Sequence, residues 1–280
     1  MPSGSACCRV LVGMPRFSAN LSYLFQELPL PDRINAAANA GFKGVEIQFP
    51  YDIAVAEIMA ALEKNHVELV LINAPPGNWQ AGERGLGALP GREQEFRELL
   101  DEAIYYAAAL SCPRIHVMSG IPGPDVGREV AISTLADNLR YAANTCAEAG
   151  IKALIEPLNP IDVPGYIISH TMQARAIMAI VSSSNLYLQY DLYHGGMNRE
   201  DLLEMVRSNF DVIDHMQVAG VPGRHEPDTG EQDFTPVFET LDMIGYRGWI
   251  GCEYAPLKNT LDGLSWASVY GLGRPFNAVD

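Results

Sequence analysis

The chain is short of positive charge. Lys and Arg together number 19 against 34 Asp and Glu, a formal net charge of −15. Nucleic acids and anionic membrane surfaces are held by clustered Lys and Arg, so the shortage argues against either as a general partner. An anionic small molecule would need one local cation working against the overall field, and few residues can supply it. Long apolar runs are missing as well. None approaches the roughly 20 residues that cross a bilayer, and Met1 to Arg9 lacks the continuous apolar stretch of a signal peptide. Cysteine is scarce: the five, with Cys7 and Cys8 adjacent, show neither metal-ligand spacing nor a disulfide framework. That pattern points to reduced thiols in a cytoplasmic protein.

What is present fits a globular chain with a large core, 48% hydrophobic and 19% charged. Short apolar runs with β-branched residues predict eight strands, at Arg16–Asn20, Gly44–Phe49, Val67–Asn73, Arg114–Ser119, Lys152–Glu156, Leu186–Asp191, His215–Ala219 and Trp249–Tyr254. Helical spacing appears between them at Pro31–Asn39, Glu93–Leu110, Glu129–Ala149 and Phe234–Ile244. Gly41, Gly150 and Gly245 stand where helix-ending glycines are expected. Repeated β–α alternation means a parallel α/β sheet, and eight units mean a closed (β/α)8 barrel in one domain. The 280 residues suit that fold, which uses about 250. Residues 1–13 read as an N-terminal tail and 14–280 as the barrel catalytic domain, with Met14 an alternative start. The Gly- and Pro-rich segments 73–91 and 120–127 suit either functional loops or surface insertions.

In the second half, four strands carry an oxygen-bearing side chain at or near their end: Glu156, Asp191, Gln217 and Glu253. Their spacings of 35, 26 and 36 residues approximate one β–α unit each, which brings all four to the C-terminal mouth of the barrel, where active sites of this fold lie. Three buried carboxylates would repel one another unless a divalent cation joined them. Carboxylate and amide oxygens favour Mg²⁺ or Mn²⁺. Arg224 is the natural fork for a substrate carboxylate, with His225 beside it and His194 three residues after Asp191. Glu46 ends the second strand in the same way and is expected to support the site. His116 is expected to be an ordinary satisfied core residue.

Several strings, taken together and in order, resemble the hydroxypyruvate isomerase family, which includes 2-oxo-tetronate isomerases, within the xylose-isomerase-like TIM barrel superfamily. They are Arg16-Phe17-Ser18-Ala19-Asn20-Leu21-Ser22, Ala81-Gly82-Glu83-Arg84-Gly85 with Leu89-Pro90-Gly91-Arg92-Glu93, and Ile155-Glu156-Pro157. Gln189-Tyr190-Asp191, Arg224-His225-Glu226-Pro227 and Gly248-Trp249-Ile250-Gly251-Cys252-Glu253-Tyr254 follow. The resemblance runs from about Pro15 to about Trp266. It implies that Glu156 and Glu253 exchange the substrate proton and that Glu156, Asp191, Gln217 and Glu253 hold the metal. The implied reaction converts a small 2-keto-3-hydroxy acid, hydroxypyruvate, to tartronate semialdehyde through a metal-stabilised enediolate. His194, Arg224 and His225 would bind the substrate, with Arg224 bidentate on its carboxylate.

The strings divide between hydroxypyruvate and 2-oxo-tetronate. Gln217-Val218-Ala219-Gly220 and His116-Val117-Met118 look more like the second group. Ile155-Glu156-Pro157-Leu158-Asn159 and Asp191-Leu192-Tyr193-His194 look more like the first. Rival readings are a ketose 3-epimerase, a metal-dependent DNA phosphodiesterase and a sugar-binding barrel. The phosphodiesterase would want several metal-binding His and a basic face, and the binding protein would not need an acid–base pair. Barrels of this kind often associate, so a homo-oligomer is compatible with the sequence. A chain beginning at Met14 should match the full chain in melting temperature and activity, and a large loss of either would show that the first thirteen residues pack on the barrel.

Overall fold

A computed structural model describes residues 15–273, so the expected 1–13 tail lies outside the described residues. Eight parallel strands close into one barrel in sequence order: β1 (Arg16–Asn20), β2 (Gly44–Ile47), β3 (Glu68–Asn73), β4 (Arg114–His116), β5 (Lys152–Ile155), β6 (Leu186–Asp191), β7 (Ile213–Val218) and β8 (Trp249–Cys252). Around it lie α1 (Leu30–Asn39), α2 (Val55–Asn65), α3 (Glu93–Ala109), α4 (Arg128–Glu148), α5 (Thr171–Val181), α6 (Leu192–Met197), α7 (Leu202–Asn209), α8 (Thr235–Ile244) and the short α9 (Thr260–Gly263). The expected α/β barrel is the observed one. None of these helices is long and apolar enough to cross a membrane.

Strand boundaries move slightly, and the shift matters. β5 stops at Ile155 and β8 at Cys252, so Glu156 and Glu253 are the first residues beyond their strands rather than residues within them. β4 is only three residues long, and β7 begins two residues before its expected start. Gly41, Gly150 and Gly245 all take positive φ (98°, 71° and 80°) at the ends of α1, α4 and α8, a region that costs a side chain and is free to glycine. α2 and α5 end instead on His66 and Ser182, in the left-handed region at φ 53° and 52°. Both helices are held by burial, as α2 is through Ile58 and Leu62 against the core, each such side chain contributing about 1.5–3 kcal/mol.

The long segment after β3 is not a free flap. Ala88 N–H donates to the Ser119 carbonyl at 2.7 Å, Asn138 Nδ2 to the Gly87 carbonyl at 2.9 Å, and Glu83 pairs with Arg92. Trp79, at its tip, packs on Phe49 beyond the end of β2 with ring centroids 5.5 Å apart. Behind the strand starts, Asp214 on β7 joins Arg114 on β4 (2.5 Å) and Lys152 on β5. Although partial burial would raise the Asp214 carboxyl, Arg114 and Lys152 hold it below the ordinary carboxylate range. The stabilisation is therefore present above that range and lost as pH falls through the lowered value. Asp214→Ala leaves two cations facing each other without their anion. It should cost about 3 kcal/mol, or roughly 6–12 °C in melting temperature for a domain of this size, measured by thermal denaturation at neutral pH.

Candidate active site

Alternate residues on a strand face the same side, and in this barrel they fill the lumen with polar groups. Ser18 and Asn20 come from β1, Glu46 from β2 with Gln48 just past it, Gln189 and Asp191 from β6, and His215 and Gln217 from β7. Register sets neighbours level: Asn20 with Glu46, Gln189 with His215, Asp191 with Gln217. His116 closes β4, and Glu156 and Glu253 follow β5 and β8.

Glu46 lies deepest. Its carboxylate accepts from Ser18 Oγ (2.5 Å), His215 Nε2 (2.9 Å), Gln217 Nε2 (2.9 Å) and Asn20 Nδ2 (3.3 Å). Burial alone would raise this carboxyl; His215 and the other donors hold it below the usual range. Space for it comes from β8, where a Cβ on Gly251 would sit 2.2 Å from Glu46 Oε1.

Glu253 is gripped from four sides. Asn20 Nδ2 (2.9 Å) and Gln217 Nε2 donate to one oxygen, Arg224 Nη2 (2.6 Å) and Gln48 Nε2 (3.3 Å) to the other. Even so, burial pushes its carboxyl up to about 8, with Arg224 pulling the other way. Asp191 caps α6 through Tyr193 N–H (2.9 Å) and lies 3.4 Å from Arg224 Nη2; burial raises it to about 6. Glu156 is the least held. Burial raises its carboxyl well above the ordinary range, Glu253 and Asp191 add to the rise, and its Oε1 has no hydrogen-bond partner. Oxygen atoms of Glu156 and Asp191 and a ring nitrogen of His194 lie within 4.8 Å of one another.

His194 cannot serve as the third ligand of that group. Its Nδ1 receives the Asn159 backbone N–H (3.2 Å) and Asn159 Nδ2 (2.7 Å). That amide is itself oriented, its Oδ1 accepting from Ile161 and Asp162 N–H. The ring proton therefore sits on Nε2, 3.8 Å from Asp191 Oδ2, and offers a donor rather than a lone pair. Burial keeps this ring neutral by lowering its pKa well below the usual value, helped by Arg224.

The carboxylates fit a divalent cation. Three of them are pushed up by burial, a mark of negative charge that Arg224 alone does not offset, and one buried oxygen lacks a partner. Gln217 reaches the same centre, but its Nε2 faces Glu46 and Glu253 while its Oε1 accepts from Gln189 at 2.7 Å.

Arg224 arrives from the loop after β7. Its backbone adopts φ 55°, fixed by Arg224 N–H to the Gly220 carbonyl (2.9 Å) and Ala255 N–H to the Arg224 carbonyl (2.9 Å). The guanidinium lies 4.9 Å from the Tyr193 ring and 5.2 Å from that of Tyr23. Nη2 is taken by the site's own carboxylates, and Nη1 has no hydrogen bond among the described residues. His225 turns away, its Nδ1 donating to the Ala255 carbonyl at 2.7 Å.

Sequence reasoning missed Asn20, Gln48, Gln189 and the state of His116, whose ring is buried without a hydrogen bond at either nitrogen. The signal was available as polar pairs at i and i+2 in strands that are otherwise apolar.

Comparison with known proteins shows the family. A family model described as xylose isomerase-like TIM barrel matches residues 34–268. The 2-oxo-tetronate isomerase of Cupriavidus necator is 46% identical over 93% of this chain and all of its own length. The hydroxypyruvate isomerase of Escherichia coli K12 is 42% identical over 92% of the chain and all of its own. Among solved structures, one from Brucella melitensis named AP endonuclease, family 2, superposes with a TM-score of 0.89 at 46% identity, covering 92% of this chain and 99% of that one. The tight fit of Glu46 beside β8 is open to a direct check. Gly251→Ala should overpack the lumen at a cost of about 1–3 kcal/mol and lower the melting temperature by several degrees; an unchanged melt would show that Glu46 has room to move.

Proposed function

The chain belongs to the xylose isomerase-like TIM barrel family, and from that premise we propose that it is an isomerase interconverting hydroxypyruvate and tartronate semialdehyde. The same chemistry on a 2-oxo-tetronate is the second reading, favoured by the 46% identity to an enzyme of that name. The observation that carries both is the pair of buried glutamates, Glu156 and Glu253, reaching one lumen from strands three places apart in the ring.

A 1,2 carbonyl shift needs a base at one carbon and an acid at its neighbour. One of the two glutamates removes the C–H proton, and a glutamate returns it at the adjacent carbon. Burial favours both roles, because a carboxyl raised above its ordinary pKa holds a proton more firmly and transfers it nearer neutral pH. His194 Nε2–H donates to a substrate oxygen. Arg224 holds Glu253 with Nη2 and offers Nη1 to the substrate carboxylate, an end-on contact where a two-pronged one had been expected. Glu156, Asp191 and Glu253 would hold Mg²⁺ or Mn²⁺, and Gln217 would join them only once its amide turned its oxygen from Gln189 toward the site. When bound, the cation supplies positive charge against the negative charge that develops on the substrate oxygens.

The endonuclease name of the Brucella neighbour suggests a DNA substrate, but a formal charge of −15 disfavours a phosphate backbone. Assays of the purified enzyme with hydroxypyruvate, 2-oxo-tetronates and neutral five- or six-carbon ketoses, each with and without chelator, decide among these readings. Turnover of the acids, lost with chelator and restored by Mg²⁺ or Mn²⁺, is expected. Glu156→Gln and Glu253→Gln should each lower kcat by about 10²-fold or more. Turnover of neutral ketoses alone would sink the acid-isomerase reading.

A further inference from the structure

The two glutamates are held very differently. Glu253 accepts from Asn20, Gln48, Gln217 and Arg224, which fixes both its oxygens. Glu156 has Gln189 nearby, an amide it shares with Gln217 Oε1 at 2.7 Å. A second polar neighbour is His116. Its Nδ1 lies 3.4 Å from Glu156 Oε2, the ring is 1% exposed, and neither nitrogen has a hydrogen-bond partner.

Two unpartnered ring nitrogens in a barrel core cost free energy that a mere packing residue would not incur, since an apolar ring fills the same space. Catalytic hydrogen bonds are often long or misaligned in a ligand-free site and tighten when substrate fills it. The contact between His116 and Glu156 has that character.

We propose that His116 is a positioning residue for Glu156. Its Nδ1–H holds Oε2 during turnover and leaves Oε1, the oxygen without a partner, as the atom that exchanges the substrate proton. In the forward step the C–H bond breaks, its electron pair stays with the substrate, and the new O–H bond forms at Glu156 Oε1. His116 keeps its own proton throughout. This rests on the isomerase reading for its chemistry, though not for its geometry.

The ring atom involved makes the idea testable by substitution. An asparagine amide nitrogen falls where the histidine Nδ1 was, a glutamine amide nitrogen where Nε2 was, and phenylalanine fills the space with no donor. His116→Phe should lower kcat at least about tenfold with KM within about twofold, since Glu156 would be misdirected while substrate contacts persist. His116→Asn should keep kcat within about threefold of the parent, and His116→Gln should resemble His116→Phe. Crystal structures of the parent and of His116→Phe provide the second readout, in which Glu156 should leave its present rotamer. Equal kcat in all variants, or better rescue by Gln than by Asn, would overturn the proposal. If the parent turns over none of the acids, the functional reading fails by itself. The crystal structures still decide this proposal, and an unmoved Glu156 in His116→Phe overturns it.

Discussion

Everything in this barrel answers to one constraint: several carboxylates are buried in a single lumen. Glu46, Glu156, Asp191 and Glu253 are each 5% exposed or less, and a buried anion is tolerated only where donors, opposite charge or a cation compensate it. The protein supplies compensation unevenly. Glu46 receives enough donors to stay ionised and acts as a fixed negative anchor for Ser18, His215 and Gln217. Moving up the lumen, compensation becomes less complete: Glu253 keeps four donors, yet burial still raises its carboxyl. Asp191 and Glu253 share one guanidinium, and Glu156 keeps a bare oxygen. Unbalanced negative charge therefore collects at the mouth, where it can be used.

The barrel makes this gradient possible because strand register places side chains in layers. Glu46 can lie inside only because Gly251 on β8, the strand on the other side of β1, contributes no side chain. Gln217 then bridges two layers through a single amide, touching Glu46 below and Glu253 above. The loop after β7 completes the layer from outside by holding Arg224 in the left-handed region, a conformation that surrounding backbone bonds must impose on a non-glycine residue.

The fold was legible from local signals that this architecture repeats. Apolar runs marked all eight strands, and glycine ends marked α1, α4 and α8. α2 and α5 escaped notice because His66 and Ser182 close them where glycine would have been the visible sign. α6 is one turn and a half, too short for a period to show. At the site, Glu156, Asp191, Gln217 and Glu253 stood out in the sequence because each lies at or beside a strand end, and the structure turns all four into one lumen. Their partners did not stand out, since Asn20, Gln48 and Gln189 are ordinary polar residues whose meaning depends on register between strands. His116 was misjudged for a related reason. Whether a core histidine is satisfied is decided by neighbours from β5 to β7, and the sequence around it carries no trace of them. His225 illustrates the converse, an attractive residue beside Arg224 that the loop turns toward the Ala255 carbonyl.

The histidines in the lumen bear on how an acidic protein accepts an acidic substrate. His116 and His194 are both kept neutral, chiefly by burial, so they contribute hydrogen bonds and no positive charge. Arg224 is a cation, but Glu253 and Asp191 already claim much of its field. From the protein's own side chains, simple charge attraction is therefore a weak source of affinity in this site. Recognition falls instead to neutral donors and acceptors that stand unpaired until a ligand arrives. Such a site discriminates strongly, because an analogue lacking a matching hydroxyl or carbonyl leaves buried polar groups without partners and forfeits their full desolvation cost.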